Sequence, residues 1–213
     1  ATINTLMAAV TAKGKTRIFN AATEPEIEFI IDLLNQMGAK ITGRNTTTLN
    51  IEGVEDLHSC TVPMIPDRIE AGTFLIAGAI TNGDINVKNC VPEHLRSLCE
   101  KLTEAGVELE IGNDSIRVKG HSNIHSVNII TNPYPSFPTD LQAQFMSLMS
   151  IADGASFIEE NIFPDRFMHV AELNRLDANI HLEKNVAVVK GVKRLSGAEV
   201  MATDLRASAA LVL

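Results

Sequence analysis

The chain has 213 residues, a formal net charge of −8, and three cysteines, Cys60, Cys90 and Cys99. That length holds one large domain or two smaller ones, and the acidic balance excludes nucleic acid as a general partner. No apolar run reaches the roughly 18 residues a membrane span needs. An odd cysteine count without a CxxC pair gives neither a zinc site nor a disulfide framework, and fits a reducing cytosol.

In chain order, Ile3, Leu6, Met7 and Val10 share a helical face and predict a helix over 3–13. A β-branched strand at 16–21 follows, then a helix over 24–38 and strands at 40–45 and 48–54. Two prolines between Cys60 and Pro66 read as a linker, which places a domain boundary near residue 65. Beyond it come a helix over 68–81, a strand at 85–89, a helix over 92–105, and strands at 107–112 and 115–120. A strand at 127–131 leads to a helix over 140–153, a strand at 156–160, a helix over 165–176, and strands at 179–184 and 186–191. A last helix opens at 204 and runs to 213. The helices at 3–13, 68–81, 140–153 and 204–213 carry small and apolar residues on most faces, so burial is expected for all four.

The order of elements repeats. Gly14, Gly83 and Gly154 stand 69 and 71 residues apart, and Gly53, Gly120 and Gly191 stand 67 and 71 apart. Asp67, Asp140 and Asp204 each open a helix. Anchors in one order at one spacing mark duplicated structural units. The period exceeds that of common solenoids, which favours small βαβαββ subdomains. The expected fold class is therefore α+β: repeated βαβαββ units with buried helices inside an outer wall of small sheets. Ala1 falls at a helix start and Leu213 inside an apolar helical run. The chain thus reads as a piece of a longer protein, with residues 66–213 holding two units and the start of a third.

Three stretches could carry chemistry. In 132–145, NPYPSFPTDLQAQF, three prolines predict a stiff, extended approach to a helix capped by Thr139 or Asp140. A cap alone accounts for that pattern; the functional reading aims the Asp140 carboxylate into a cleft. A helix N-terminus favours the ionised carboxylate and weakens it as a base. In 162–173, IFPDRFMHVAEL, Arg166 falls in a predicted first helical turn, where the dipole disfavours a cation. Either a salt bridge to Asp165 or Glu172 or an anion site accounts for it. His169 reads as a structural hydrogen-bonder. In 201–213, MATDLRASAALVL, Arg206 cannot face Asp204 across an i,i+2 spacing, which leans toward an external anion. Asp67 and Arg68 in PDRIEAG lie beside the boundary and read as a hinge or inter-domain ion pair.

These three stretches, together with ATINTLMAAV, NAATEPEI, MGAKI and IPDRIEAGTF, resemble the UDP-N-acetylglucosamine enolpyruvyl transferases along the whole chain. The resemblance implies an inside-out α/β prism of six βαβαββ units in two domains. Residues 1–64 would be the last unit of the first domain, and 65–213 most of the second. It implies transfer of the enolpyruvyl group of phosphoenolpyruvate to the 3-hydroxyl of UDP-N-acetylglucosamine with release of phosphate. That is the first committed step of peptidoglycan synthesis, in the cytoplasm, with no cofactor and no metal. Asp140 would stand at the sugar 3-hydroxyl, Ile162 would contact the UDP-sugar, and Arg166 and Arg206 would belong to the cluster around phosphoenolpyruvate and the domain-closure contacts. The family's reactive Cys loop, an active-site Lys and the segment holding the uridine diphosphate would lie before Ala1, and a further Arg beyond Leu213. The three cysteines do not match that Cys motif. Pro164 departs from the family's usual acidic residue, and Asp177 stands where Gly38 and Gly106 stand in the other units. The competing readings are the sister shikimate-pathway enolpyruvyl transferase, against which FPTDLQAQF and RFMHVAEL weigh, and a non-catalytic repeat or interaction protein.

Overall fold

In each of the three copies a helix hands the chain to a short sheet of three or four strands. The computed structural model describes residues 1–120, 123–202 and 204–213. They divide into two units, Ala1–Ile65 and Pro66–Leu213.

The first unit runs α1 (Thr2–Ala9), β1 (Lys15–Phe19), α2 (Pro25–Gln36), β2 (Lys40–Thr42) and β3 (Thr48–Glu52), with sheet order β1-β3-β2 and all pairs antiparallel. The predicted strand at 40–45 stops at Thr42 because Gly43 and Asn45 take positive φ, 94° and 63°, and turn the chain into β3. Its core is Leu6, Ile27, Ile31, Leu34, Leu49 and Ile51. Burial on most faces does not hold for α1. It buries only Leu6 and Ala9, on the side that meets α2 and β3, and Met7 is exposed.

The second unit repeats the pattern twice. The first pass is α3 (Arg68–Ile80), β4 (Asp84–Lys88), a 3₁₀ turn Pro92–Leu95, α4 (Arg96–Glu104), β5 (Glu108–Ile111) and β6 (Ser115–Lys119), in sheet order β4-β6-β5. The second pass is β7 (Ile129–Thr131), a 3₁₀ turn Thr139–Leu141, α5 (Gln142–Met149), β8 (Ala155–Glu160), α6 (His169–Arg175), β9 (Asn179–Glu183) and β10 (Val186–Lys190). Its sheet order is β7-β8-β10-β9, with β7 and β8 parallel. A further helix, α7 (Leu205–Val212), begins the pattern again.

The repeating glycines hold each copy closed. In every copy the second anchor donates its N–H to the carbonyl of the first: Gly53 to Gly14 at 2.9 Å, Gly120 to Gly83 at 2.7 Å and Gly191 to Gly154 at 3.0 Å. A Cβ on Gly53 or Gly191 would land 1.6 Å from the carbonyl oxygen of Ala12 or Ala152. No side chain fits where the last strand crosses the end of the first helix.

The helices α3, α5 and α7 meet inside the second unit. All eight residues of α5 are buried, the polar Gln142 and Gln144 included. Ser147 Oγ donates to the Ala210 carbonyl at 3.0 Å, and Gln144 Nε2 donates to Thr73 Oγ1 at 3.1 Å. A Cβ on Gly72 would come within 2.7 Å of Leu141 Cδ1, so α3 approaches at glycine distance. The expected complete burial of α7 does not hold: it buries Ala207 and Ala210 and exposes Leu205 and Val212. The expected α+β class of repeated units, helices inside small sheets, describes the second unit well.

Candidate active site

The carboxyl ends of the parallel strands β7 and β8 lie side by side, with Thr131 paired to Glu160. Both strands deliver loops to the same place, and that edge is where side chains of distant sequence converge.

After β7 the prolines do not hold the chain extended, as expected from their number. The segment doubles back: Ser136 N–H reaches the Pro133 carbonyl at 3.1 Å and Asn132 N–H the Phe137 carbonyl at 3.3 Å. Phe137 is buried edge-on against Phe145, ring centroids 5.3 Å apart, and this apolar anchor closes the loop. The chain then enters the 3₁₀ turn Thr139–Leu141. Asp140 lies inside that turn, and neither it nor Thr139 caps the helix with its side chain. The other two helix-opening aspartates do. Asp67 accepts from Ile69 N–H at 2.7 Å and Glu70 N–H at 3.1 Å. Asp204 accepts from Arg206 N–H at 2.8 Å and Ala207 N–H at 3.1 Å. Asp67 is therefore a cap.

Asp140 is committed to guanidinium groups instead. Its Oδ1 accepts from Arg166 Nη1 at 2.9 Å and stands 3.6 Å from Arg206 Nε. Oδ2 takes part in neither contact. Arg166 Nη2 also lies 3.6 Å from Asp204 Oδ1. The order in space is Arg206, Asp140, Arg166, Asp204, with alternating sign. Arg166 does not sit in a helical turn, because α6 begins only at His169, and no dipole penalty arises. It does not pair with Asp165 or Glu172 as the simpler reading had it; Glu172 pairs with Arg175 at 3.6 Å. Its guanidinium lies 5.7 Å from the Phe163 ring centroid.

Ile162, half-buried on the same loop, donates its N–H to Glu160 Oε1 at 2.9 Å. All four residues predicted for the site, Asp140, Ile162, Arg166 and Arg206, are thus gathered around the ends of β7 and β8 and the start of α7. Thr203, within the third motif, lies outside the described residues.

Burial opposes ionisation of Asp204, but the N–H groups of Ala207 and Arg206 and the charge of Arg166 outweigh it and hold its carboxyl below the usual range. His169 is 2% exposed, and burial pushes its imidazole down to about 4, against the pull of Asp204. The imidazole is neutral and buried, but its Nε2 meets no hydrogen-bond partner among the described residues, so the hydrogen-bonding role expected of it is not seen. Each guanidinium carries more N–H donors than these contacts use, so the pair can take an external anion beside a carboxylate able to accept a proton. The sequence reasoning missed Asp204, Thr139 and Glu160 as members of the site. The only signal for Asp204 was its helix-opening position, which it shares with Asp67. Among the described residues no group of three His, Cys, Asp or Glu could hold a metal ion.

The whole chain, residues 1–213, matches the profile of the family described as EPSP synthase (3-phosphoshikimate 1-carboxyvinyltransferase). The UDP-N-acetylglucosamine 1-carboxyvinyltransferase of Geotalea daltonii is 59% identical over 98% of this chain and 50% of its own length. UDP-N-acetylglucosamine 1-carboxyvinyltransferase 1 of Staphylococcus aureus is 54% identical over 100% of this chain and 51% of its own. Among solved structures, the enolpyruvyl transferase NikO from Streptomyces tendae superposes with a TM-score of 0.85 at 25% identity, covering 97% of this chain and 50% of that one. The chain spans about half the length of the curated relatives it matches. With the profile matched from the first residue to the last, the chain belongs to the EPSP synthase (3-phosphoshikimate 1-carboxyvinyltransferase) family.

Proposed function

We propose that the whole protein transfers the enolpyruvyl group of phosphoenolpyruvate to the 3-hydroxyl of UDP-N-acetylglucosamine and releases phosphate. The carrying observation is the Asp140 carboxylate held between Arg166 and Arg206. The reaction needs an acceptor for the sugar hydroxyl proton and cations for an anionic substrate, and that arrangement supplies both. The names and identities of the relatives support the choice of sugar nucleotide.

In this reading Asp140 takes the sugar 3-hydroxyl proton, on the Oδ2 oxygen that the contacts to Arg166 and Arg206 do not use. Arg166 and Arg206 hold phosphoenolpyruvate by bidentate contacts to its carboxylate or phosphate. Ile162 offers an apolar surface to the sugar nucleotide. Residues 1–64 form the last unit of a first domain and 65–213 most of a second, with the remaining active-site groups supplied by the rest of the protein. The place in metabolism is the commitment to peptidoglycan, in the cytoplasm, serving cell wall biogenesis, cell shape and division. Among the described residues no helix is long and apolar enough to cross a membrane.

A phosphate-release assay on the full-length protein tests the reading. Turnover is expected with phosphoenolpyruvate and UDP-N-acetylglucosamine. Release with shikimate 3-phosphate in its place, and none with the sugar nucleotide, would move the protein to the sister activity.

A further inference from the structure

Glu160 is the last residue of β8 and has no exposed surface. A carboxylate there is strongly unfavourable unless donors surround it. Thr131 Oγ1 donates to Oε1 at 2.7 Å, and the N–H groups of Ile162 and Phe163 donate to the same oxygen at 2.9 and 3.0 Å. Thr139 Oγ1 donates to Oε2 at 2.8 Å. Every one of these partners is a donor, which matches an acceptor-only carboxylate.

The bond to Thr139 has a consequence at the site. A threonine hydroxyl has one proton, and Glu160 takes it. The Thr139 oxygen therefore turns its lone pairs to Arg166, and Nη1 lies 3.3 Å away. The same Nη1 donates to Asp140. Meanwhile the two backbone bonds curl the chain out of β8, so that Phe163 comes beside the Arg166 guanidinium. One buried carboxylate ties the turn carrying Asp140 to the loop carrying Ile162 and Arg166.

The geometry points to Glu160 as a positioning residue of this site: it sets the direction of the Thr139 hydroxyl and, through it, the seat of Arg166 beside Asp140. Bonds to Thr131 and the two amides would have sufficed to finish the strand. The fourth bond leads into the site. The kinetic part of this inference rests on the function proposed above.

Glu160→Gln keeps the volume but replaces one oxygen by an NH₂ group. The donors from Thr131, Ile162 and Phe163 hold the remaining oxygen, so the NH₂ faces Thr139. Thr139 must then accept, and its O–H swings toward the N–H of Arg166, donor against donor. In the full-length protein kcat/KM for phosphoenolpyruvate is expected to fall roughly 10- to 100-fold, with KM for the sugar nucleotide nearly unchanged. Thr139→Val should lose as much, Thr139→Ser should recover most of it, and the Glu160→Gln/Thr139→Val double variant should be no worse than either single one. Additive losses, or Glu160→Gln turning over like wild type, would overturn the proposal. Should Glu160→Gln fail to fold, Thr139→Val with wild-type kinetics overturns it equally. A second readout needs no turnover: the Arg166 guanidinium NMR signal, assigned by its loss in Arg166→Lys, should shift in Glu160→Gln and in Thr139→Val. An unmoved signal in both sinks the proposal. A wild type inactive on both substrates would refute the function above, and the guanidinium signal would still decide the role of Glu160.

Discussion

Three aspartates open helices in this chain, and only Asp140 is not used as a cap. The two capping aspartates show what the fold demands at that position; the third is excused from it and placed between two arginines. Asp140→Asn in the full-length protein removes charge and basicity without disturbing any backbone bond. A fall in kcat of about 100-fold or more is expected, with the melting temperature within a few degrees of wild type; normal kcat with a lower melting temperature would contradict it. His169 carries a different prediction. Its imidazole is depressed from 6.5 to about 4 by burial, with Asp204 and Glu160 opposing and Arg166 assisting. Between those values the unfolded chain binds a proton that the folded chain refuses, so stability is lost as pH falls from about 6.5 toward 4. The loss is at most roughly 3 kcal/mol. Urea midpoints of wild type and His169→Gln should converge across this window; a constant gap would exclude the linkage.

At the scale of elements, the same closure is built three times from a glycine pair. The pair at Gly154 and Gly191 is tight because the Ala152 carbonyl fills the space a Cβ would need. Gly191→Ala should destabilise the second unit by about 3 kcal/mol or more, since backbone and not a flexible side chain must move. Gly197→Ala, with nothing within 4 Å of the added methyl, should change stability by less than about 0.5 kcal/mol. Equal urea midpoints for the two variants would refute this account. The turn after α6 shows the repeat under substitution. Gly38 and Gly106 take φ of 100° and 88°, and Asp177 adopts 68° in the equivalent place. Its carboxylate accepts a hydrogen bond from the Ser196 hydroxyl, which accompanies the strained backbone.

For the whole molecule, the proposed reaction requires two substrates held against each other. The Asp140, Arg166 and Arg206 group is one side of such a site, and the chain spans half the length of its relatives. The 213-residue chain by itself is therefore expected to release no phosphate from phosphoenolpyruvate and UDP-N-acetylglucosamine, while the full-length protein does. Measurable product from the isolated chain would show that this half holds a complete site.

The sequence by itself determined the repeat, the α+β class, the order of nearly every helix and strand, and the burial of α5. These follow from local periodicity and from glycines that only a tight backbone crossing requires. It also pointed to Asp140, Arg166 and Arg206 as charged residues in need of partners. It misplaced the start of α6 and the path of 132–138, because proline stiffness says nothing of where a buried Phe137 pulls the chain. Only the tertiary structure decided which aspartates cap and which one meets the arginines. It alone brought Glu160 under the site, since the carboxylate's partners on β7 and the Thr139–Leu141 turn are chosen by distances that no local pattern records.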